Sequence, residues 1–264
     1  WGALSRSLAK PDSSLEVLSV SYCNIDGEGL NALGRAIATI TKLKDLECRG
    51  NRSVGTAEWR NFFIALKSSD SALEKLLLNG NSIGDEVIAA MVDALANMSS
   101  LWHLSMTYNP LITTAGWILI SSLLEHPNSN LEQFLLNSSI ESINDDVVIS
   151  FANALTNNNC LLALEFGFDD DSITARGWAA LSDTLCNKSS IESIYNSNHS
   201  LFKVTGIGVP SDLDSHLQLN RNEDKAEVAR QKILKYHFST GESNVEEFVN
   251  MELEVLPRAM SWIG

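Results

Sequence analysis

The sequence predicts a repeat protein of the α/β class, in which short strands alternate with amphipathic helices. Two periodic patterns lead to this prediction: a strand motif that recurs about every 30 residues, and an apolar stripe of helical spacing that follows each motif. The composition agrees with both. The chain has 264 residues, of which 44% are hydrophobic, so it is long enough to bury a substantial core.

The strand motif has the form L-x-x-L-x-L-x-x-N/C-x-L or a close variant. Its fourth position is apolar in all seven copies and its sixth in six of them, the exception being Asn196. This alternation is typical of a strand with one buried face. The ninth position holds Asn or Cys in four copies, and Ser139, Asp169 and His199 in the other three. The seven copies begin at Leu15, Leu43, Leu73, Leu101, Leu131, Leu161 and Ile191.

The apolar stripe of helical spacing occupies positions i, i+3 and i+7, which places three side chains on one face of a helix. Four stripes begin with a tryptophan in the same phase, which favours packing in the helix core over an aromatic ligand site. These are Trp1, Trp59, Trp117 and Trp178. Because Trp1 lies 14 residues before Leu15, as Trp59 does before Leu73, we expect the chain to begin within a truncated first repeat.

These motifs resemble those of leucine-rich repeat proteins of the ribonuclease-inhibitor-like class. The resemblance covers residues 1–201, which contain all seven strand motifs. It implies an α/β solenoid shaped as a curved horseshoe, with a parallel sheet on the concave face and helices on the convex face. It also implies that the Asn or Cys at the ninth position bonds the backbone of the turn. A single repeat cannot bury its own apolar face, but stacked repeats can.

Residues 202–264 are predicted to form a degenerate last repeat and a helical C-terminal cap. Two glycines and a proline in residues 203–210 indicate a loop, and residues 216–220 partly repeat the strand motif as a shortened eighth copy. Residues 224–238 and 245–262 each show an amphipathic helical pattern. The end of a solenoid needs an element that covers its core, and these two helices suit that role.

The candidate binding surface is the concave face of the sheet. Successive strand residues point to opposite sides, so the third and fifth motif positions face away from the core, and the seventh and eighth follow at the strand end. Exposed aromatic and leucine side chains in such positions are types that anchor protein interfaces. The predicted protein-binding residues are Tyr22, Glu47, Arg49, Leu77, Asn79, His103, Tyr108, Leu135, Asn137, Glu165, Phe168 and Tyr195.

The predicted function is that of a non-enzymatic scaffold or adaptor that binds a partner protein through the concave sheet. Two alternatives stay open. The repeats also resemble those of the GTPase-activating protein of Ran, which implies regulation of a small GTPase through Arg49 or Asn79. The other alternative is the sensor region of a larger receptor. The net charge of −14 favours a partner with a basic surface and disfavours nucleic acid and membrane surfaces.

No sequence pattern predicts catalysis, a cofactor or a metal. The chain has no G-x-S-x-G element, and the glycine-containing segment 29–36 lacks the Lys and Ser or Thr of a phosphate-binding loop. The four cysteines lie in different repeats without a C-x-x-C pair, which favours reduced thiols and a cytoplasmic location. We expect Cys23, at the ninth motif position, and Cys48, at the sixth, to be buried.

Overall fold

A computed structural model shows one parallel sheet with helices along one side. It describes residues 1–8, 13–67, 72–136, 142–167, 172–206 and 208–238. The strands are β1 (Val17–Ser19), β2 (Asp45–Glu47), β3 (Lys75–Leu77), β4 (His103–Ser105), β5 (Gln133–Leu135), β6 (Ala163–Glu165) and β7 (Lys203–Thr205). The helices are α1 (Gly2–Leu8), α2 (Gly27–Ile37), α3 (Thr56–Lys67), α4 (Asp85–Leu95), α5 (Thr114–Glu125), α6 (Asp145–Leu155), α7 (Ala175–Leu185), α8 (Ile191–Tyr195), α9 (Ser211–Leu219) and α10 (Lys225–Ile233), followed by a π-helical turn at Leu234–Phe238.

The strands pair in chain order, and each is parallel to the next. Their register is constant, because the middle residue of each strand lies opposite the middle residue of its neighbour, as in Leu46, Leu76 and Leu104. Successive helices from α1 to α7 pack side by side against the sheet. The predicted α/β solenoid is therefore confirmed, with one sheet face that none of the described helices covers.

The core lies between the sheet and the helix layer. Trp59 and Trp117 are fully buried and Trp178 nearly so, which confirms that these tryptophans pack in the helix core. Trp1 differs, since 38% of its surface is exposed. It precedes α1 at one end of the described solenoid, where helices cover it on one side only.

A buried asparagine ladder fixes the turns after β2, β3 and β4. The backbone N–H of Asn51 donates to Asn81 Oδ1 at 2.7 Å, and Asn81 Nδ2 donates to the carbonyl oxygens of Cys48 and Leu78, each at 2.8 Å. The ladder residues are Asn51, Asn81 and Asn109. Cys48 is buried as expected, but the expectation for Cys23 was wrong: it is exposed, because no earlier turn covers it in the described residues.

The seventh repeat differs from the prediction. The motif at Ile191 forms helix α8, and the seventh strand is β7, so the sheet continues past residue 201. Ser190 caps α8, with its Oγ accepting from Ser193 N at 3.0 Å. Ile191 and Ile194 are both buried at helical spacing. Leu201 and Val204 take the first and fourth motif positions instead.

The C-terminal region is helical in the described residues. Residues 216–220, expected as an eighth strand, instead overlap α9, because Leu213, His216 and Leu217 form a buried stripe at helical spacing. Helix α10 and its π-helical turn occupy the first predicted cap helix. The second, at residues 245–262, lies outside the described residues.

A buried lysine holds α10 against the end of the repeats. Lys232 Nζ donates to the carbonyl oxygen of Leu185 at 2.5 Å and to that of Asn198 at 3.3 Å, and it lies 3.1 Å from His199 Nδ1. Lys232 forms no ion pair with the described residues, and burial lowers its pKa to about 7. Burial likewise lowers the pKa of His199 and of His216 to about 4.

Candidate functional site on the concave face

The helix-free face of the sheet carries two rows of side chains, set by the constant register. Both rows run across all seven strands, so each strand contributes one residue to each row. The first row is Val17, Asp45, Lys75, His103, Gln133, Ala163 and Lys203. The second row is Ser19, Glu47, Leu77, Ser105, Leu135, Glu165 and Thr205.

In the N-terminal part of this face, β1 to β4, the charged side chains pair with one another. Lys75 Nζ lies 3.5 Å from Asp45 Oδ2, and Arg49 Nη2 lies 3.5 Å from Glu47 Oε1. Ser19 Oγ also donates to Glu47 Oε2 at 3.2 Å. A partner that bound these groups would first have to break internal contacts, so this part offers few free charges.

The first row continues as a chain of contacts as far as β5. Lys75 Nζ lies 5.0 Å from the ring centroid of Trp102, and that ring meets His103 edge to face at 5.5 Å. His103 Nδ1 is hydrogen-bonded to Gln133 Oε1 at 3.0 Å, and burial lowers the His103 pKa. The next residue in the row is Ala163, whose methyl group is too short to continue the chain.

The short side chain of Ala163 leaves a cavity of about 190 Å³ in the C-terminal part of the face, β5 to β7. Gln133 borders it on one side and Lys203 on the other, since these residues flank Ala163 in the register. The lining residues are His103, Gln133, Phe134, Leu135, Ala163, Leu164, Glu165, Phe202, Lys203 and Thr205. The cavity therefore combines apolar surface with several polar groups, the composition expected of a binding site.

The polar groups at this cavity have few internal partners. Glu165 and Lys203 form no ion pair within the part of the chain that the structure describes, and the hydroxyl of Thr205 is buried without a hydrogen bond there. A buried hydroxyl without a partner costs free energy that a bound group can recover. These three residues are thus able to pair with an incoming polar group.

The structure locates ten of the twelve predicted binding residues. Tyr195 was placed on the sheet wrongly: it ends α8, because its whole motif is helical. Asn137 and Phe168 lie outside the described residues. The sheet and its strand ends carry Glu47, Arg49, Leu77, Asn79, His103, Leu135 and Glu165, and the adjoining turns carry Tyr22 and Tyr108. A binding role for these nine residues stays a prediction.

Sequence reasoning missed Phe202, Lys203 and Thr205, which complete the cavity. Lys203 and Thr205 were assigned to a loop because residues 203–210 contain two glycines and a proline, and Phe202 was given no role. One signal was available: Leu201 and Val204 keep the spacing of the first and fourth motif positions. An inserted segment that contains α8 separates them from the regular period.

The described ranges contain no group of three or more His, Cys, Asp or Glu side chains that could hold a metal ion. No helix in these ranges is long and apolar enough to cross a membrane.

Among solved structures, the chain is similar to two proteins of low sequence identity. One is leiomodin-1 actin-binding site 2, with a TM-score of 0.47 and 16% identity over 66% of this chain and 92% of that one. The other is the tropomodulin C-terminal domain of Caenorhabditis elegans, with a TM-score of 0.42 and 14% identity over 68% of this chain and 87% of that one.

Sequence comparisons give a family match and two mouse relatives. NACHT, LRR and PYD domains-containing protein 5 of Mus musculus is 30% identical over 158 residues, 60% of this chain and 13% of the relative. Protein 14 of that series, also from Mus musculus, is 28% identical over 190 residues, 70% of this chain and 18% of the relative. This chain thus spans less than a fifth of either relative. Residues 12–34 match the family model described as Leucine Rich repeat. Together with the seven-stranded sheet and the asparagine ladder, this match identifies the chain as a leucine-rich repeat protein.

Proposed function

We propose that this chain is a non-enzymatic protein-binding scaffold that recognises its partner through the C-terminal part of the concave sheet. One observation carries the proposal: the row of internal contacts stops at Ala163, where a cavity opens beside Glu165 and Lys203, which form no ion pair with the described residues. In the N-terminal part, by contrast, Asp45 pairs with Lys75 and Glu47 with Arg49. A partner gains most where polar groups and apolar surface are still free.

The cavity suits a single anchoring side chain. Its 190 Å³ is room for about six water molecules or one large side chain. Leu135 and Phe202 supply apolar contact at its walls, while Glu165, Lys203 and Thr205 supply charge and hydrogen bonds. A buried anchor surrounded by less critical contacts is the usual pattern of binding hot spots.

We further propose that the partner presents a basic surface and that binding takes place in the cytoplasm. An excess of 33 acidic over 19 basic residues attracts a basic partner over distance and accelerates encounter at low salt. Glu165 adds a carboxylate at the cavity itself. The four cysteines are all free thiols, which suits a reducing compartment.

The experiment is a capture of partners on immobilised protein, followed by quantitative mass spectrometry. Ala163→Phe fills the cavity, and Ala89→Phe adds the same bulk to an exposed position on α4 as a matched control. We expect one or a few proteins to be retained by the wild type and by Ala89→Phe but lost from Ala163→Phe. If Ala163→Phe retains the same proteins as the wild type, the cavity is not the anchor site.

A second candidate is the sensor region of a larger receptor. It is favoured by the two mouse relatives, whose names place a leucine-rich repeat region beside NACHT and PYD domains in much longer proteins. Sequencing the complete reading frame tests it: a NACHT or PYD domain in the same frame supports this role, and a reading frame confined to repeats excludes it.

Regulation of a small GTPase stays a prediction without an observation in its favour. Arg49 is paired with Glu47, and Asn79 Nδ2 donates to Thr107 Oγ1 at 2.6 Å. An assay of GTP hydrolysis with a panel of small GTPases tests it, and no acceleration by this chain would exclude it.

A further inference from the structure

A second surface lies where the strands of the first four repeats run into their turns. We call it the tyrosine rim and define it as Tyr22, Gly50, Gly80 and Tyr108 together with Arg52. The first four residues occupy the eighth motif position and have positive φ angles of 57°, 65°, 69° and 58°. Glycine adopts this conformation without strain, whereas tyrosine does not. The two tyrosines therefore strain the backbone at a position where glycine, as in Gly50 and Gly80, adopts the same conformation without strain.

The backbone hydrogen bonds place these four residues side by side. Tyr22 N donates to the carbonyl of Arg49 at 2.7 Å, Gly50 N to that of Asn79 at 2.8 Å, and Gly80 N to that of Thr107 at 2.8 Å. Each step is one strand spacing, so the two tyrosines stand about 14 Å apart at the ends of the row. A segment of about four extended residues spans that distance.

The two glycines in the middle of the rim carry no side chains, whereas the tyrosine side chains at its two ends project from the surface. The ring of Tyr22 leans over Gly50, since a Cβ built on that glycine would meet the ring at 2.3 Å. A Cβ on Gly80 would touch only the backbone of Gly50, at 3.8 Å, so the surface above Gly80 is open. Tyr22 and Tyr108 are 77% and 60% exposed. The result is a saddle bounded by two accessible aromatic rings.

Arg52 supplies the charge of the saddle. Its Nε donates to the carbonyl of Gly80 at 3.4 Å, and Gly80 lies between Gly50 and Tyr108 in the row. Arg52 forms no ion pair with the described residues. The carboxylates at the starts of α2 and α4 accept backbone hydrogen bonds: Asp26 Oδ1 accepts from Gly29 N at 2.8 Å, and Asp85 Oδ1 accepts from Thr113 N at 2.8 Å. Arg52 is one of five described arginines that form no ion pair with the described residues, and it alone donates to the backbone of the rim.

We propose that the tyrosine rim binds an acidic, extended peptide segment of a partner protein. A carboxylate of the segment pairs with the Arg52 guanidinium, and the neighbouring residues pack on the rings of Tyr22 and Tyr108. Tyrosine and arginine are among the side chains enriched at binding hot spots, and a guanidinium suits a carboxylate because it donates two parallel hydrogen bonds. The rim therefore selects an acidic ligand, whereas the net charge of the whole molecule favours a basic one.

A phage-displayed library of random 12-residue peptides, selected on the immobilised protein, tests this proposal. We expect selected peptides rich in Asp and Glu, and we expect Arg52→Gln to weaken the tightest of them at least tenfold in calorimetric titration. Replacing the peptide's acidic residues with their amides should weaken binding to a similar extent. Arg60→Gln, at an exposed position on α3, is the matched control and should have no effect.

Three results would overturn the proposal: no peptide selected, no enrichment of acidic residues, or equal affinity for Arg52→Gln and the wild type. Because Arg52 is exposed, its replacement leaves the core intact, and a thermal unfolding curve verifies this. Ala163→Phe should leave peptide binding to the rim unchanged. The test of the rim is therefore independent of the test of the cavity as an anchor site.

Discussion

The two parts of the concave face differ in how their charged groups are paired. In the N-terminal part, Asp45 pairs with Lys75 and Glu47 with Arg49, so charge is neutralised within the protein. In the C-terminal part, Glu165 and Lys203 border a cavity and are free of ion pairs among the described residues. The comparison teaches that residue type alone does not mark a binding surface. What matters is which charged groups the described part of the fold leaves without ion pairs.

The asparagine ladder supports the N-terminal part and should give the largest effect on stability. Asn81→Ala removes the acceptor of Asn51 N–H and the donors to two buried carbonyls. Leaving such groups unpaired costs about 1–3 kcal/mol each, so we expect a loss of about 3 kcal/mol or more in the free energy of unfolding. Urea unfolding followed by circular dichroism measures it. A loss below 1 kcal/mol would show that the ladder is not a main support of these turns.

Filling the cavity should give the largest effect on binding. Ala163→Phe is expected to weaken the affinity for the purified partner about 100-fold, or about 2.7 kcal/mol, because the phenyl ring occupies the cavity in place of the partner's anchoring side chain. Val17→Phe is the matched control, since Val17 occupies the same row in the N-terminal part and is 58% exposed. It should change the dissociation constant less than threefold. Equal losses for both variants in calorimetric titration would remove the distinction between the two parts.

The C-terminal part rests on a cap whose stability depends on pH. The pKa of Lys232 falls from its ordinary 10.5 to about 7 in the folded chain, so the penalty for burying its charge is fully present below pH 7. Stability should therefore rise between pH 7 and pH 10, by at most about 1.4 kcal/mol per pH unit. Lys232→Met should remove most of that slope in thermal unfolding. An unchanged slope would mean that Lys232 does not titrate in this range.

Acid should release the cap before it affects the N-terminal part. His199 and His216 have pKa values lowered from 6.5 to about 4, so the stability that they contribute is present above pH 6.5 and is lost as the pH falls towards 4. Amide hydrogen exchange at pH 5, corrected for intrinsic rates, should show reduced protection in α10 and little change in α3. Equal loss of protection in both helices would argue against a locally weakened cap.

Removing single charges should give the smallest effects on affinity, and these effects should again differ between the two parts of the face. Glu165→Gln should weaken the affinity for a basic partner by up to about tenfold, and this loss of affinity should be smaller at high salt. Glu47→Gln should change the affinity less than twofold, because Arg49 and Ser19 already hold that carboxylate. If the two substitutions had the same effect, long-range charge rather than the cavity would govern recognition.

The sequence predicted the fold well because each repeat carries its own copy of the strand motif and of the helical stripe, so one irregular copy does not obscure the others. It failed at Ile191, since the spacing of Ile191 and Ile194 fits both the first and fourth strand positions and two positions on a helix stripe. Only the packing of α8 decides between them. The cavity was out of reach for a related reason: Ala163 matters only beside Gln133 and Lys203, and Lys203 joins the sheet after an insertion that breaks the period.

Hydroxyl-radical footprinting of the chain with its captured partner tests the central claim most directly, because it reports the accessibility of individual side chains. The account predicts that binding protects Leu135 and Phe202 in the C-terminal part from oxidation, while Val17 in the N-terminal part keeps its rate. Protection of Val17 without protection of Leu135 and Phe202 would contradict the account.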